Sequence, residues 1–487
     1  PEAYFRIGDI HFNNKNYRDA EKAYLRVIES DYKKLRVNAH YMAGWSLYKQ
    51  GMYEEGLNYF FTVLDETLSA SANLDSLDPS HQQLVNDTLH SMSLALVHNG
   101  GAEYIKNIGK LAKRNYVWLV YEDLGQHYLE KERFEDSAET YRQFVTQHSS
   151  SQKAQELHGK LIDVYIQGGF PMQALQEKER FVELYGLRSG YLGLGKKIAP
   201  DLAPTIKSYL EELANFYHAD AQQHLKMAGN TDPKVNGDKY QSINEMSTAS
   251  FKKAAGFYSD YIQAFHDDAK VAEMTYLRGE TYFSSKQYQR SIKDYESVAY
   301  QLDDVADKQQ KSEAGYAAII AYKNLIDGAG KASRKGKAYQ EQAVASMFLF
   351  AGTFGDDERS PAVLTNAAEY LFSLQKFEQA LEVADELING SDEHDVSLRK
   401  AAFGIKAHAL FNLDDYQGAE RAYITQRNLV KSTPEEYARI SERIAASIYK
   451  QAEALVKDEK HSDSVAKLMR IKSLAPDTSI RVSAQYD

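Results

Sequence analysis

The sequence contains no cysteine, only nine prolines among 487 residues, and no long apolar run. The absence of cysteine excludes disulfides, cysteine nucleophiles, iron–sulfur clusters and zinc sites built on cysteine. No stretch approaches the roughly 18 consecutive apolar residues that a membrane-spanning helix requires. Strand-like alternation of apolar and polar residues is also missing, so the sequence predicts an all-α protein.

An excess of positive charge is missing as well. The formal net charge is −11, and no stretch is dominated by lysine and arginine. Proteins that bind nucleic acid normally present a basic face, so we predict protein or peptide partners and no nucleic acid. Hydrophobic residues make up 43% of the chain, which favours a folded protein over a disordered one. The length exceeds one ordinary core and indicates several domains or a long stacked array.

A pattern of small and aromatic residues recurs along the chain. Within each copy, apolar residues fall three and four positions apart, as a helix with one apolar face requires. Two antiparallel helices can touch where the side chains are small, while tyrosines and phenylalanines fill the gap to the next pair. The first two copies match at positions 36 residues apart, namely Gly8 with Gly44, Tyr17 with Tyr53, and Ala20 with Gly56.

Further copies read "LGQHYLEKERFEDSAETY" from Leu124, "RGETYFSSKQYQRSIKDY" from Arg278 and "KAHALFNLDDYQGAERAY" from Lys406. This pattern of residues resembles that of the tetratricopeptide repeat family, although the proline that closes each repeat of the family is mostly missing. About six copies are clear and four or five are degenerate, so the resemblance covers most of the chain. It implies a right-handed superhelical solenoid of about ten antiparallel helix pairs, continuing beyond both ends of the sequence.

We predict three parts in the chain. Residues 1–185 form an N-terminal array and residues 204–487 form a C-terminal array with long, irregular helix pairs, truncated at its end. Residues 186–203 form a connection or bend, because glycines and prolines interrupt the helical period there.

Two local patterns suggest chemistry, and each has a more ordinary structural explanation. "GYLGLGKK" (190–197) matches a phosphate-binding loop as far as Lys196, but Lys197 stands where magnesium binding requires Ser or Thr. His266 and His394 lie beside carboxylates in predicted loops, where solvated charge or helix capping is commoner than metal binding. We therefore predict a protein that is not an enzyme and has no cofactor or metal.

The resemblance also implies a concave face, on the exposed side of the first helix of each pair, that grips a partner segment. Phe5 and Tyr41 stand where the family's carboxylate clamp has a lysine, so a clamp for chaperone tails is not expected. Aromatic anchors often dominate binding energy, although such rings can instead pack on an adjacent turn. The implied groove residues are Phe5, Asp9, Phe12, Asn13, Tyr41, Trp45, Tyr48, Lys49, Tyr276, Glu280, Phe283, Glu369 and Phe372.

The expected function is a protein–protein interaction scaffold that binds partner segments along this aromatic groove. The opening copy resembles large tetratricopeptide proteins of Gram-negative envelopes, which implies a periplasmic location and a role in envelope or outer-membrane assembly. Two alternatives stay open: the recognition arm of a larger enzyme whose catalytic domain lies outside this sequence, and a cytoplasmic regulator that binds a signalling peptide. The sequence does not decide the oligomeric state.

Overall fold

The computed structural model describes residues 1–30, 32–68, 74–108, 114–149, 151–187, 198–302, 306–390, 395–430 and 433–483. Within these ranges the chain forms 23 α-helices and no β-strand, which confirms the all-α prediction. None of the described helices has the length and hydropathy of a membrane span. The "GYLGLGKK" segment and His394 lie outside the described residues, as does most of the predicted connection.

The chain divides into two compact units, Pro1–Leu213 and Ala214–Asp487, and the division falls inside α11. The helices up to this division are α1 (Glu2–Asn13), α2 (Tyr17–Ile28), α3 (Lys33–Lys49), α4 (Tyr53–Thr67), α5 (Pro79–His98), α6 (Ala102–Asn107), α7 (Val117–Glu130), α8 (Phe134–Gln147), α9 (Gln152–Gln167), α10 (Pro171–Tyr185) and α11 (Ala203–Gly229).

The second unit contains the remainder of α11 and a further twelve described helices. These are α12 (Gly237–Ala264), α13 (Val271–Ser284), α14 (Tyr288–Tyr300), α15 (Lys308–Ala329), α16 (Arg334–Thr353), α17 (Ser360–Ser373), α18 (Phe377–Gly390), α19 (Val396–Asn412), α20 (Tyr416–Leu429), α21 (Pro434–Lys457), α22 (His461–Leu474) and α23 (Ser479–Ser483).

Most helices that follow one another pack together as pairs, such as α1 with α2 and α13 with α14, and successive pairs also meet, as α2 meets α3 and α14 meets α15. We call the first helix of a pair the A helix and the second the B helix. The A helices α1, α3, α5, α7 and α9 of the first unit also contact one another in that order. The A helices of the second unit are α13, α15, α17, α19 and α21. This arrangement confirms the predicted antiparallel helix pairs.

The recurring glycines of the A helices lie directly against an aromatic ring of their own B helix. A Cβ added at Gly8 would lie 2.5 Å from Tyr24 Cε1, and one added at Gly44 would lie 2.7 Å from Phe60 Cε1. Both rings are fully buried. The rings therefore do more than fill the gap to the next pair, as the sequence suggested, because they also occupy the space that glycine leaves inside their own pair. Gly125 with Tyr141 and Gly279 with Tyr295 repeat this contact.

A second contact joins the two helices of a pair across the turn. The last aromatic residue of the A helix packs against the first of the B helix, with ring centroids 5.2–5.4 Å apart. Each turn contains a residue of positive φ, which lets the chain reverse direction after the helix ends. The pairs, which we call ring staples, are Phe12–Tyr17, Tyr48–Tyr53, Phe283–Tyr288, Phe372–Phe377 and Phe411–Tyr416.

Candidate protein-binding groove

A cavity of about 640 Å³ lies between the A helices α1, α3 and α5, and we call it the α1–α3–α5 cavity. Its apolar lining consists of half-buried side chains, and its rim consists of exposed polar and charged ones. A concave site with an apolar floor and a few polar groups is the usual form of a binding site. The floor is Phe5, Tyr41, Met42 and Leu84, and the rim includes Lys34, Asn38, Ser80, His81, Gln83 and Asp87.

Helix α3 presents two different faces, and one of them lines this cavity. Ala39 and Ala43 are fully buried against α2, where they join the core around Tyr24. Tyr41 falls on the opposite side of the helix, where a bulky side chain has room, and Met42 lies between the two faces and also packs against the core around Tyr24. The small residues of α3 therefore bring the helix close to α2 and leave the larger ones facing the groove.

The two aromatic residues of the floor are supported from behind by the core. The Phe5 ring meets the Tyr24 ring edge-on at a centroid distance of 5.4 Å. The Tyr41 ring lies 6.0 Å from the Phe60 ring, and its hydroxyl is 3.4 Å from Ser91 Oγ on α5. These contacts hold both rings in place before any partner arrives, which reduces the entropy lost on binding.

The start of α5 supplies one side of the rim. Asp78 precedes the helix, and its carboxylate accepts hydrogen bonds from the backbone N–H groups of Ser80 and His81 at 3.1 and 3.3 Å. The Ser80 hydroxyl and the His81 ring also hydrogen-bond to this carboxylate, and these side-chain bonds, with a smaller effect of the His81 backbone N–H, lower the pKa of Asp78, so the cap stays ionised. Pro79 occupies the first helical turn, where its missing N–H costs nothing. The cap therefore fixes the direction in which α5 enters the cavity wall.

Trp45 lies one turn beyond Tyr41 on α3 and begins a cluster of rings. Its ring centroid is 5.2 Å from that of Tyr48, and the Lys49 ammonium lies 5.3 Å from the centre of the Trp45 ring. Tyr53 and His98 continue the cluster as a stacked pair, 4.5 Å apart. Trp45 and Tyr48 are half-buried, whereas Lys49 is exposed. The predicted Trp45, Tyr48 and Lys49 are therefore brought together as one surface.

Two predicted acidic groove residues are bound by tyrosines of their own helix pairs. Tyr24 donates a hydrogen bond from its hydroxyl to Asp9 Oδ1 at 2.7 Å, and Tyr295 donates to Glu280 Oε1 at 2.5 Å. Burial, with a smaller effect of these hydrogen bonds, raises the pKa of both tyrosines. In the second pair, Trp45 and Phe60 replace the carboxylate and the tyrosine, so the hydrogen bond becomes an aromatic contact.

Four predicted aromatic groove residues belong to ring staples. Phe12, Tyr48, Phe283 and Phe372 each close the turn of their own pair. Their internal contacts explain why aromatic residues recur there without reference to a partner, and their role in binding stays a prediction. The predicted Asn13 is exposed at the end of α1, and the predicted Glu369 is exposed within α17.

Tyr276, also predicted, lines a different cavity in the second unit. This cavity has a volume of about 400 Å³ and lies between α13 and the start of α15. Ala272 and Val298 complete its apolar part, and Glu273 and Glu313 contribute carboxylates. Burial, with a smaller effect of Glu280 and Glu313, raises the pKa of Tyr276 to about 12, so its hydroxyl remains protonated at neutral pH.

Sequence reasoning missed about half of the first cavity, because it left α5 out. Residues 79–113 lack the small and aromatic signature of the other copies, so Leu84, His81 and Asp87 had no recognised register. Met42 was missed although it follows Tyr41 directly. The helical spacing of Ser80, Leu84 and Asp87 is the signal that could have placed them on one face.

The histidine pattern at residue 266 forms a solvated pair. His266 Nε2 lies 3.2 Å from Asp267 Oδ2, and the two side chains are 73% and 91% exposed. Across the described ranges, no three His, Asp or Glu side chains gather in a way that could hold a metal ion.

One family model matches the start of the chain. Residues 5–71, which include most of α1 and all of α2, α3 and α4, match the tetratricopeptide repeat family model. The resemblance to that family is therefore confirmed. No curated protein matches the chain.

Solved structures that match the chain do so at low identity. The APC/C hetero-tetramer Cut9–Hcn1 is 11% identical, with 99% of this chain and 95% of that chain covered and a TM-score of 0.23. Yeast Tom70 is 14% identical, with 99% and 94% covered and a TM-score of 0.22. Human IFIT1 dimer with m7Gppp-AAAA is 11% identical, with 95% of each chain covered and a TM-score of 0.28. Scores of this size carry no argument about the function of this chain.

Proposed function

We propose that this chain is a protein-binding scaffold whose α1–α3–α5 cavity receives an apolar side chain of a partner segment. The observation that carries the proposal is the convergence of Phe5, Tyr41 and Leu84 from three successive A helices beneath a polar rim. The tetratricopeptide match of residues 5–71 supports it, because that resemblance implies a partner segment on this same face. No catalytic step forms part of the proposal.

One anchor side chain gives too little energy for stable binding by itself. An aromatic side chain that buries 150–250 Å² contributes roughly 4–6 kcal/mol at about 25 cal/mol per Å². Association costs at least about 4 kcal/mol in lost freedom of motion, and often more. The partner segment must therefore make a second contact. Trp45 is the nearest candidate, because it lies one turn, about 6 Å, along α3 from Tyr41.

The test is a random-peptide phage library selected against the folded chain. We expect the selected peptides to share a large apolar residue and to bind at least about tenfold more weakly to Leu84→Glu, because a carboxylate in the floor must be desolvated. Ile166→Glu is the matched control, since Ile166 is an exposed apolar residue on α9 (53% exposed). It should leave peptide affinity unchanged.

Circular dichroism must first show that both variants keep the helicity of the parent chain. A photo-reactive phenylalanine analogue at Leu84 should cross-link to the apolar residue of the selected peptide. Equal affinity of the parent and Leu84→Glu chains for every selected peptide would refute the proposed cavity.

We also propose that the protein works in the periplasm of a Gram-negative bacterium, in envelope or outer-membrane assembly. The support is the resemblance of the opening helix pair to envelope tetratricopeptide proteins, whereas the lack of cysteine fits a periplasmic and a cytoplasmic protein alike. Fractionation of the source cells, followed by immunodetection of the native protein, tests this location. Recovery of the protein in the cytoplasmic fraction would contradict it.

A further inference from the structure

The helix pair α19–α20 replaces the recurring acidic residue of the A helix with a histidine. His408 follows the small residue Ala407, as Asp9 follows Gly8. Its ring Nδ1 is hydrogen-bonded to the hydroxyl of Tyr423, which corresponds to the tyrosine that binds Asp9 in the first pair. His408 therefore lies on the same A-helix face as the groove residues of the first unit.

His408 also reaches the next A helix. Its Nε2 is hydrogen-bonded to a guanidinium nitrogen of Arg443 on α21. A guanidinium can only donate, so Nε2 accepts and the ring proton resides on Nδ1, from which it is donated to Tyr423. Burial, assisted by the charges of Arg443 and Arg439, lowers the pKa of His408 to about 4. The histidine is therefore neutral at physiological pH and positions the arginine without neutralising it.

Positive charge accumulates around this contact. Among the described residues, Arg443 has a neutral ring rather than a carboxylate as its hydrogen-bond partner. Arg439, one turn earlier on α21, is 66% exposed, and the carboxylate near it is that of Glu436 at 3.9 Å. Glu436 is shared with Lys400, whose ammonium lies 3.3 Å away. Arg439 and Lys400 thus share the carboxylate of Glu436, and Arg443 is bound to a neutral ring, in a chain whose net charge is −11.

One aromatic ring adjoins His408, the residue that binds Arg443. The Phe372 ring of α17 lies 5.9 Å from the His408 ring and is half-buried. A guanidinium with unused N–H groups can bind a carboxylate with two parallel hydrogen bonds, a geometry that arginine favours over lysine. A ligand with a carboxylate next to an apolar group fits both parts of the surface.

We propose that Arg443 and Arg439, with Phe372 beside them, bind a carboxylate of an acidic partner segment on the A-helix face of the second unit. The inference rests on the proposed function in one respect, namely that the partner is a protein. It uses no residue of the α1–α3–α5 cavity, so the two proposals can fail separately. The net charge of −11 favours selectivity, because a chain with an excess of carboxylates repels an acidic segment that lacks such a contact.

The probe is a fluorescein-labelled peptide rich in Asp and Glu with one Phe, measured by fluorescence anisotropy with the full chain. We expect binding at low salt that weakens as salt rises to about 0.3 M, because exposed charges are then screened. Arg439→Gln combined with Arg443→Gln should weaken binding by roughly five- to tenfold. Arg421→Gln, an exposed arginine on the B helix α20, is the matched control and should bind as the parent does.

Two further variants separate binding from folding. Arg443→Lys keeps a positive charge but loses the planar pair of donors, and should retain part of the affinity. Arg439→Gln alone changes an exposed side chain, so its helicity and thermal unfolding should match those of the parent. His408→Phe removes the acceptor that positions Arg443, and should weaken binding while both arginine charges remain.

Three results would overturn the inference. The first is no binding of the acidic peptide by the parent chain at low salt. The second is equal affinity in the folded double variant and the parent. The third is preferential binding of a labelled single-stranded RNA that depends on the same arginines. Leu84→Glu should leave this assay unchanged, so loss of phage-peptide binding without loss of acidic-peptide binding would contradict only the cavity.

Discussion

Replacement of Gly125 by alanine tests the contact between ring and glycine more sharply than any other change. A Cβ at this position would lie 2.5 Å from both Cε1 and Cζ of Tyr141, and the Tyr141 side chain is 1% exposed. Carbon atoms pack best at about 3.5–4.0 Å. The ring must therefore retreat by about 1 Å into a filled core. The Ser137 hydroxyl, which donates to the Gly125 carbonyl at 2.7 Å, limits how far the two helices can separate.

Two opposing effects set the size of the loss. Alanine is favoured over glycine inside a helix by about 0.5–1 kcal/mol. Overpacking of a filled core costs about 1–3 kcal/mol. The net expectation for Gly125→Ala is a loss of about 1 kcal/mol. Gly159→Ala in α9 is the matched control, because nothing lies within 4 Å of its added Cβ, and it should gain the full helix term of about 0.5–1 kcal/mol.

Hydrogen exchange followed by mass spectrometry is the appropriate assay, because an array of helix pairs does not unfold as one unit. Gly125→Ala should speed exchange in α7 and α8, whereas Gly159→Ala should slow it in α9. Urea unfolding gives the corresponding shift in free energy. If Gly125→Ala is as stable as Gly159→Ala, the ring does not press on the glycine and the spacing of small residues needs another explanation.

Two further predictions concern backbone strain and pH. Lys286 has a φ of 61° in the turn after α13, a conformation that glycine adopts more readily than any other residue. Lys286→Gly should therefore raise the free energy of unfolding by roughly 0.5–1 kcal/mol, and Lys286→Val should lower it by more, as measured by urea unfolding. Equal stabilities would argue against this turn geometry. His158 is fully buried beside Glu177, and burial lowers its pKa from 6.5. The unfolded chain therefore binds a proton near pH 6.5 that the folded chain does not, so stability should fall as the pH drops below about 6.5. His158→Gln should flatten that dependence between pH 7 and 5 relative to the parent, and an unchanged slope would contradict the assignment.

The helix pairs could be predicted from sequence because one short-range contact requires the same residue types at the same spacing in each pair. A ring sixteen residues after a glycine, as Tyr24 is after Gly8, marks two helices that touch, and this signal needs no knowledge of the rest of the chain. The cavity depends instead on α5, which lacks that signal. The side of the cavity at Leu84 is formed where helix pairs contact one another, and a single sequence does not show which pairs are in contact.

The assignment of groove residues shows a second limit. Phe5 and Phe12 are seven residues apart on α1 and share a stripe of the helix. Phe5 lies in the first turn of α1 and faces the cavity, whereas Phe12 lies in the last turn and meets Tyr17. Helical periodicity indicates which face of the helix a residue occupies. It does not show whether the residue lies close enough to the helix end to pack against the next helix, and that proximity decides whether an aromatic residue is available to a partner or closes its own turn.

Ring staples and glycine contacts both join residues that are close in the chain, since five positions separate Phe12 from Tyr17 and sixteen separate Gly8 from Tyr24. Each helical hairpin therefore contains the contacts that hold its two helices together, and it can form without any distant part of the polypeptide. Duplication or deletion of a gene segment can add or remove whole hairpins without changes in the neighbours, provided that the surfaces by which adjacent hairpins pack remain complementary. Because these contacts are local, a pulling force should unfold such an array one hairpin at a time, so that its length under load increases in steps.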